Sequence, residues 1–526
     1  MIKKNSIRVA TSILLLLTIT IYSSEELRGL SYFSPRAQND NAARDISGYH
    51  PYIHRPDAKT NYAVLQLTPS YNQSLRPKNI SLALFNDDTL TITGSQVDGR
   101  EGTEELLADY FGLSPDFSSI VFFKPLIQNF IFDMVLYVGF DSWVKGLYLQ
   151  LRAPAVWTKW NLSMREEVIE TGSTTPFPAG YMAETAVAAP YESFTQALRG
   201  TQFFGDVERL EFGKINGAQT KSGLADLELV FGYDFIRRDY AHFGMNARVS
   251  APTGSRTHGT FFFEPRVGNG KLWQAGLGFT GHVRVWEKDG DQELGFYVDV
   301  NFTHQCKGKE IRSFDFKKIG TQELQTGFFS RYILAKEFNQ AGVFDETIVP
   351  SINFTTLPCT VHVDIQMDAV LMFGYTYRNF IFDIGYNGWI RSREKISLRE
   401  GIAPNRYGLK GVQYAVNTLT GLPNSITEST ATIYETQLIV PDANSPVFIS
   451  TDNLNLRSAA SPLLLTHKFF AHLQHSFTNY EGRRIMPFLG IGGEIEFEGI
   501  NSRNAYQPDN TTMGQASVWF KGGISY

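Results

Sequence analysis

Apolar and polar residues alternate along much of this chain, with a period of two. Successive side chains of a β-strand point to opposite faces, so this period predicts strands. Twelve stretches carry it: Asn61–Tyr71, Asn129–Phe140, Val144–Met164, Ala225–Phe235, Phe243–Ser250, Trp273–Trp286, Leu294–Thr303, Thr360–Phe373, Asn379–Arg391, Pro462–Phe477, Arg483–Glu498 and Met513–Tyr526. In the second, Phe130, Phe132, Met134, Leu136 and Val138 share one parity and Asp133 lies on the other. In the last, Ala516, Val518, Phe520, Ile524 and Tyr526 oppose Ser517, Trp519 and Lys521. Pro154 removes a ladder donor and predicts a bend within the third stretch. Splitting that stretch there, with one more strand inside 72–127, would give fourteen strands.

The connections alternate as well. Those at 141–143, 236–242, 287–293, 374–378 and 478–482 are short, and those at 72–127, 169–222, 251–272, 304–359, 393–460 and 499–512 are long. A membrane β-barrel with short turns at one end and long loops at the other has this rhythm, and a soluble sandwich has no cause for it. Within the long connections the pattern predicts a hairpin from Ile80–Phe85 and Thr89–Thr93, a helix over Thr103–Phe111 and another over Tyr191–Arg199. Gly268-Asn269-Gly270-Lys271 does not follow a strand and open a helix, which excludes a phosphate loop.

The chain begins with Lys3, Lys4 and Arg8, then an apolar run from Val9 to Tyr22 and the small residues Ser23 and Ser24. This is the layout of an export signal over residues 1–24, and no Cys follows it to carry a lipid. Residues 25–59 are polar and hold Pro35, Pro51 and Pro56, which predicts an arm on the periplasmic side ahead of a barrel over 60–526. No later run approaches the ~18 apolar residues of a spanning helix. The 40 Phe, 24 Tyr and 45 Gly suit a barrel with aromatic girdles. A net charge of −5 gives no case for nucleic acid.

These features together resemble the Gram-negative outer-membrane β-barrel proteins. The resemblance implies an all-β fold, a single antiparallel transmembrane barrel of about twelve strands, set in outer-membrane lipid. It also implies that Phe520, Ile524 and Tyr526 of the last strand are the signal read by the barrel assembly machinery, although a final Phe or Trp is more usual than Tyr.

The inward parity predicts a pore lined by Asp133, Arg152, Asp226, Glu228, Arg248, Arg284, Asp299, Asp364, Asp368, Asp383, Arg391, Lys468, Glu494, Glu496 and Lys521. Such groups need water or partners, so either an open pore or a plugged interior accommodates them. The excess of carboxylates points to a weak cation preference. Cys306 and Cys359 flank one long loop and are a candidate disulfide in an exported chain. His362 with Asp364, and His472 with Ser476, are two apart or four apart on one face, which alternation alone produces. No catalytic constellation emerges, no cofactor is implied, and no Cys or His has metal-ligand spacing. The function expected is a porin-like passive channel for small solutes. The alternatives are a surface-interaction barrel acting through its loops and a hydrophobic-substrate transporter.

Overall fold

The structure is a computed structural model. It describes residues 29–56, 58–99, 105–172, 191–201, 207–317, 328–341, 344–409, 448–477, 485–499 and 513–526. The export signal, Thr103, the turn at 478–482 and most of the 499–512 loop lie outside them.

Twelve antiparallel strands close into a barrel: β1 (Tyr62–Ser74), β2 (Leu126–Gly139), β3 (Leu147–Arg152 and Ala155–Asn161), β4 (Gln219–Leu224 and Leu227–Arg238), β5 (Ala241–Ala251), β6 (Gln274–Lys288), β7 (Gln292–Ser313), β8 (Thr356–Tyr377), β9 (Phe380–Arg391), β10 (Leu464–Ser476), β11 (Met486–Glu498) and β12 (Gln515–Ser525). Each pairs with its neighbour in sequence, and β12 pairs with β1 from Val64↔Ser525 to Ser74↔Gln515, leaving no free edge. The two parts of β3 hold one register against β2, so Pro154 interrupts the ladder without ending the strand. Opposite it, Ala225 and Asp226 form a bulge in β4. Among the described residues, four short turns lie at one end of the barrel, and the described parts of the long connections lie at the other, where they fold into a cap.

The period-two reading holds around the wall. Phe520 is 56% exposed and Phe231 52%, whereas Trp519 and Lys521 are wholly buried. A belt of exposed Phe, Leu, Ile and Val is tenable only against lipid. A closed antiparallel barrel of this kind crosses the Gram-negative outer membrane, because its strands pair their N–H and C=O groups with one another all the way round, bulges apart. No helix among the described residues is long and apolar enough to cross a membrane. Inside, large aromatics lie over cross-strand glycines: Tyr148 faces Gly232, Phe470 faces Gly385 and Trp519 faces Gly492. The missing side chain makes room for each ring.

Four expectations are corrected. Residues 29–56 do not form an arm outside the barrel; they run through its lumen. Ile80–Phe85 is part of helix α2 (Pro77–Phe85), not a strand. Ile80, Ala83 and Leu84 are buried, a helical spacing; Pro77 sits in the first turn and Asn86, left-handed at φ 63°, stops it. The described part of the expected 103–111 helix is a short strand, Glu105–Leu107, followed by a 3₁₀ turn, Ala108–Phe111. Finally, β7 and β8 are each 22 residues long and run on into the cap, carrying both cysteines inside strands. Cys359 is opposite Glu310, four residues along β7 from Cys306, and both thiols are free. Four strand residues span about 13 Å, well beyond the Cα separation of about 7 Å that a disulfide tolerates.

The cap has a core of its own, in which Phe85, Phe262, Phe329 and Tyr332 pack together. A small sheet of Thr89–Thr93, Glu105–Leu107, Ser118–Phe122 and Arg165–Glu170 borders it.

Candidate functional site: a plugged lumen

The N-terminal segment starts in the cap, where Leu30 N donates to Ala83 O and Ser31 N to Ser458 O. It then descends the whole lumen, leaves at the short-turn end near residue 56, and turns back into β1. Midway it forms a single helical turn, α1 (Ala42–Ile46), capped by Asn41, whose side chain accepts from Arg44 N. Ala42, Ala43 and Ile46 pack on Val370, Met372, Phe470 and Trp519 of the wall. This small apolar contact positions the helix, while the polar groups around it fix the register.

The charges on the wall meet charges on the plug. Arg36 donates to Asp368 (2.8 Å), Glu496 (3.1 Å) and Asn387 (3.0 Å). Lys468 bonds Glu494 (3.0 Å), and Glu494 also accepts from Asn41. Asp133 is bound by Arg152 from β3 and by Arg44 from the plug, and Arg152 reaches on to Asp45 at 2.7 Å. Asp383 accepts from Gly48 N (2.6 Å) and faces His50 Nε2 (3.0 Å). Lys521 donates to plug carbonyls at the end of α1. Arg391 donates to Ser34 and Ser461 and lies by Glu394. A buried charge without such partners would cost several kcal/mol, so this wall and this plug account for one another.

The other residues expected to line a pore are spread more widely. Asp226, in the β4 bulge, accepts from Asn269 N (2.8 Å) and Gly254 N. Glu228 pairs with Arg248 at 3.2 Å. Asp299 faces the space beside the plug. Arg284 is near the turn end with Glu287 and Glu293. Asp364 is not a lumen residue. A register shift between β7 and β8 lets Asp364 and Ile365 bulge outward, and Asp364 pairs in the open with Lys395. The bulge also turns Val361 and Val363 inward. His472 accepts from Trp519 Nε1 (3.2 Å), and Ser476 shares a hydrogen bond with Tyr52, so that pair does not act together.

Beside the plug a cavity of about 80 Å³ remains. Its wall side is formed by Tyr148, Gln150, Arg152, Glu228, Val230, Asn246, Arg248, Gln274, Thr280, Asp299, Asn301, Thr303, Gln366 and Asp368; its plug side includes Asn39, Asp40, Asn41, Asp45 and His54. Five carboxylates face two arginines there. The plug residues were missed because their partners are up to several hundred residues away in sequence. The surplus of inward charge on the wall was the one signal that something must fill it.

No protein-family model and no curated protein matches the chain. Solved structures similar to it include an outer-membrane channel from Pseudomonas putida F1 (9% identity, 89% of this chain and 97% of that one, TM-score 0.36). A Pseudomonas aeruginosa FadL homologue aligns at 7% identity over 90% of this chain and 91% of that one, with TM-score 0.27. The Pseudomonas putida toluene transporter TodX aligns at 9% identity over 95% of each chain, with TM-score 0.25. At this identity and overlap the likeness carries no functional argument.

Proposed function

We propose that this chain is a plugged outer-membrane channel for small polar solutes, in which the cavity beside the N-terminal segment is the route and displacement of that segment opens it. The observation that carries this reading is the character of the unfilled part of the lumen. It is lined mainly by amides, hydroxyls and charges, on a wall that would otherwise be free to be apolar. Asp40, Asp45, Glu228, Asp299 and Asp368 outnumber Arg152 and Arg248, so cations are favoured over anions. An open porin does not fit, because the plug occupies the axis among the described residues. Planar-bilayer recording of the full chain tests the reading. Rare openings, made frequent by Arg36→Ala and cation-selective in a salt gradient, are expected. Silence in both proteins, or anion selectivity, overturns it.

A second reading, transport of an apolar substrate, rests on a water-sized cavity of about 20 Å³ under the cap, where Phe33, Trp160, Phe261, Phe262 and Phe263 meet Glu264, Arg312 and Arg331. Quenching or shifting of tryptophan fluorescence by a small aromatic hydrocarbon, lost in Trp160→Phe, would support it.

A further inference from the structure

Histidines from the plug and the wall converge where the plug leaves the barrel. His54 lies in the left-handed backbone region at φ 50°, and its buried ring packs edge-on against Tyr137 and Tyr148, which stack on each other. Its Nδ1 is 2.9 Å from Asp234 Oδ2. Asp234 is on β4 at a register shift against β5, and bulges of this kind re-aim side chains. The neighbouring Gly244 leaves room for its carboxylate, which any Cβ there would strike. The ring of His242, near the start of β5, stacks on His54 with centroids 4.6 Å apart. His242 in turn presents Nδ1 to Nδ1 of His282, on β6.

We infer that His54, Asp234 and His242 form a binding site for a divalent transition-metal ion, Zn²⁺ by preference, that ties the plug to the barrel wall. One ligand atom from each of the three lies within 4.8 Å of the others, and all three residues are buried. Tetrahedral zinc with ligands at about 2.0–2.2 Å needs them about 3.4 Å apart, so binding requires the stacked rings of His54 and His242 to turn toward a shared ion. Two imidazoles and one carboxylate select zinc, copper or nickel over calcium or magnesium, which prefer all-oxygen sets. A hydrogen bond alone explains the placing of His54 against Asp234. It does not explain why two further imidazoles gather there, His242 with Nε2 3.3 Å from the Thr280 hydroxyl and His282 stacked on Tyr297. His282 lies beside His242, with ring centroids 4.4 Å apart, outside this group of three. Sequence spacing gives no sign of the site, because its ligands come from the plug and two strands, with His54 and Asp234 180 positions apart. The site depends on the plug lying in the lumen and not on whether the barrel conducts.

The test is calorimetric titration of Zn²⁺ into the untagged, chelator-treated full chain in detergent, with Co²⁺ absorption as a second readout. One equivalent should bind, and Co²⁺ should give the intense visible bands of a tetrahedral site. His54→Ala and His242→Ala should each weaken binding at least about tenfold, while His258→Ala, in the cap, should not. Heat-modifiable gel mobility confirms that each variant is a folded barrel, and His54→Gln is the conservative substitute if His54→Ala is not. Absence of stoichiometric binding to the folded chain, or binding that survives both His54 and His242 substitutions, overturns the site.

Discussion

Lys521 of the closing strand places its ammonium 2.6 Å from the carbonyl of Arg44 and 2.5 Å from that of Ser47, at the end of the plug helix α1. The strand that seals the barrel thus also holds what fills it. A cation on the last carbonyls of a helix satisfies groups that have no partner within the helix. Lys521→Met keeps the length of the side chain and removes the donor. Leaving those buried carbonyls without it costs about 1–3 kcal/mol. The expected outcome is a barrel of unchanged gel mobility whose segment 29–56 is cut faster by added protease. Equal cleavage rates would count against the contact.

Arg36 ties two wall carboxylates at once, with side chains only a few per cent exposed on all three residues except Asp368 at 11%. Arg36→Ala leaves Asp368 and Glu496 buried and short of a cation. Removing one partner of such a cluster costs about 3–5 kcal/mol. Denaturant unfolding in detergent should show a loss of this order, and Asp368→Asn added to Arg36→Ala should recover part of it. A double variant no better than the single one would show that Asp368 does not sense Arg36.

How much of this was legible beforehand depends on the range of the interaction that fixes each part. The wall strands are set by alternation within ten or so residues, so Val518, Phe520 and Ile524 read as outward and Trp519 and Lys521 as inward from the sequence alone. The closure of β12 on β1 followed from parity and the need to remove edges. Helix α2 misread as a strand because Ile80, Leu82 and Leu84 alternate, while the choice was made by Pro77, Asn86 and burial under the cap. Asp364 misread because one bulge reverses parity beyond it, and no local signal marks a bulge. The plug was illegible for a further reason. Arg36 and His54 look like ordinary residues of a polar arm until Asp368, Glu496 and Asp234 are brought to them by the closed barrel.

Glu394 gives the structure an acid-sensitive point where the plug meets the cap. It accepts from Arg312 Nη1 and Ser461 N, each at 3.0 Å. Burial would raise its carboxyl, but Arg312, then Arg391 and Arg266, overcome that and hold it at about 2, below its ordinary 4.5. A carboxylate held low in the fold adds stability that is present above its ordinary value and lost as pH falls through the lowered one. Unfolding midpoints of the native chain should therefore drop between about pH 4.5 and 2. Glu394→Gln should lower stability at pH 7 and flatten this part of the profile. A profile of unchanged slope would remove Glu394 as a source of it.

Gly492 and Trp519 face each other across β11 and β12. A Cβ at Gly492 would lie 2.5 Å from the indole, too close for a buried ring to remain in place. Trp519 also donates to His472 and packs on α1, so its displacement should loosen the plug as well. Overpacking of this kind costs about 1–3 kcal/mol. Gly492→Ala should lower the unfolding midpoint and shift the tryptophan emission, and Gly493→Ala, with only the Ser517 carbonyl oxygen nearby, should do much less.

The cysteines give opposite expectations when bridged and when apart. A bridge across the loop would leave no thiol to titrate and would change mobility on reduction. In the fold, Cys359 is fully buried opposite Glu310, whereas Cys306 is partly exposed on β7. A maleimide reagent should therefore label one thiol in the folded barrel without reductant, at Cys306, and a second only after unfolding. Cys306→Ser should abolish the native labelling and leave stability within about 0.5 kcal/mol, as for other surface substitutions. Absence of free thiols in the unreduced, unfolded chain would require β7 and β8 to shift by four residues, and would overturn the pairing of Cys359 with Glu310.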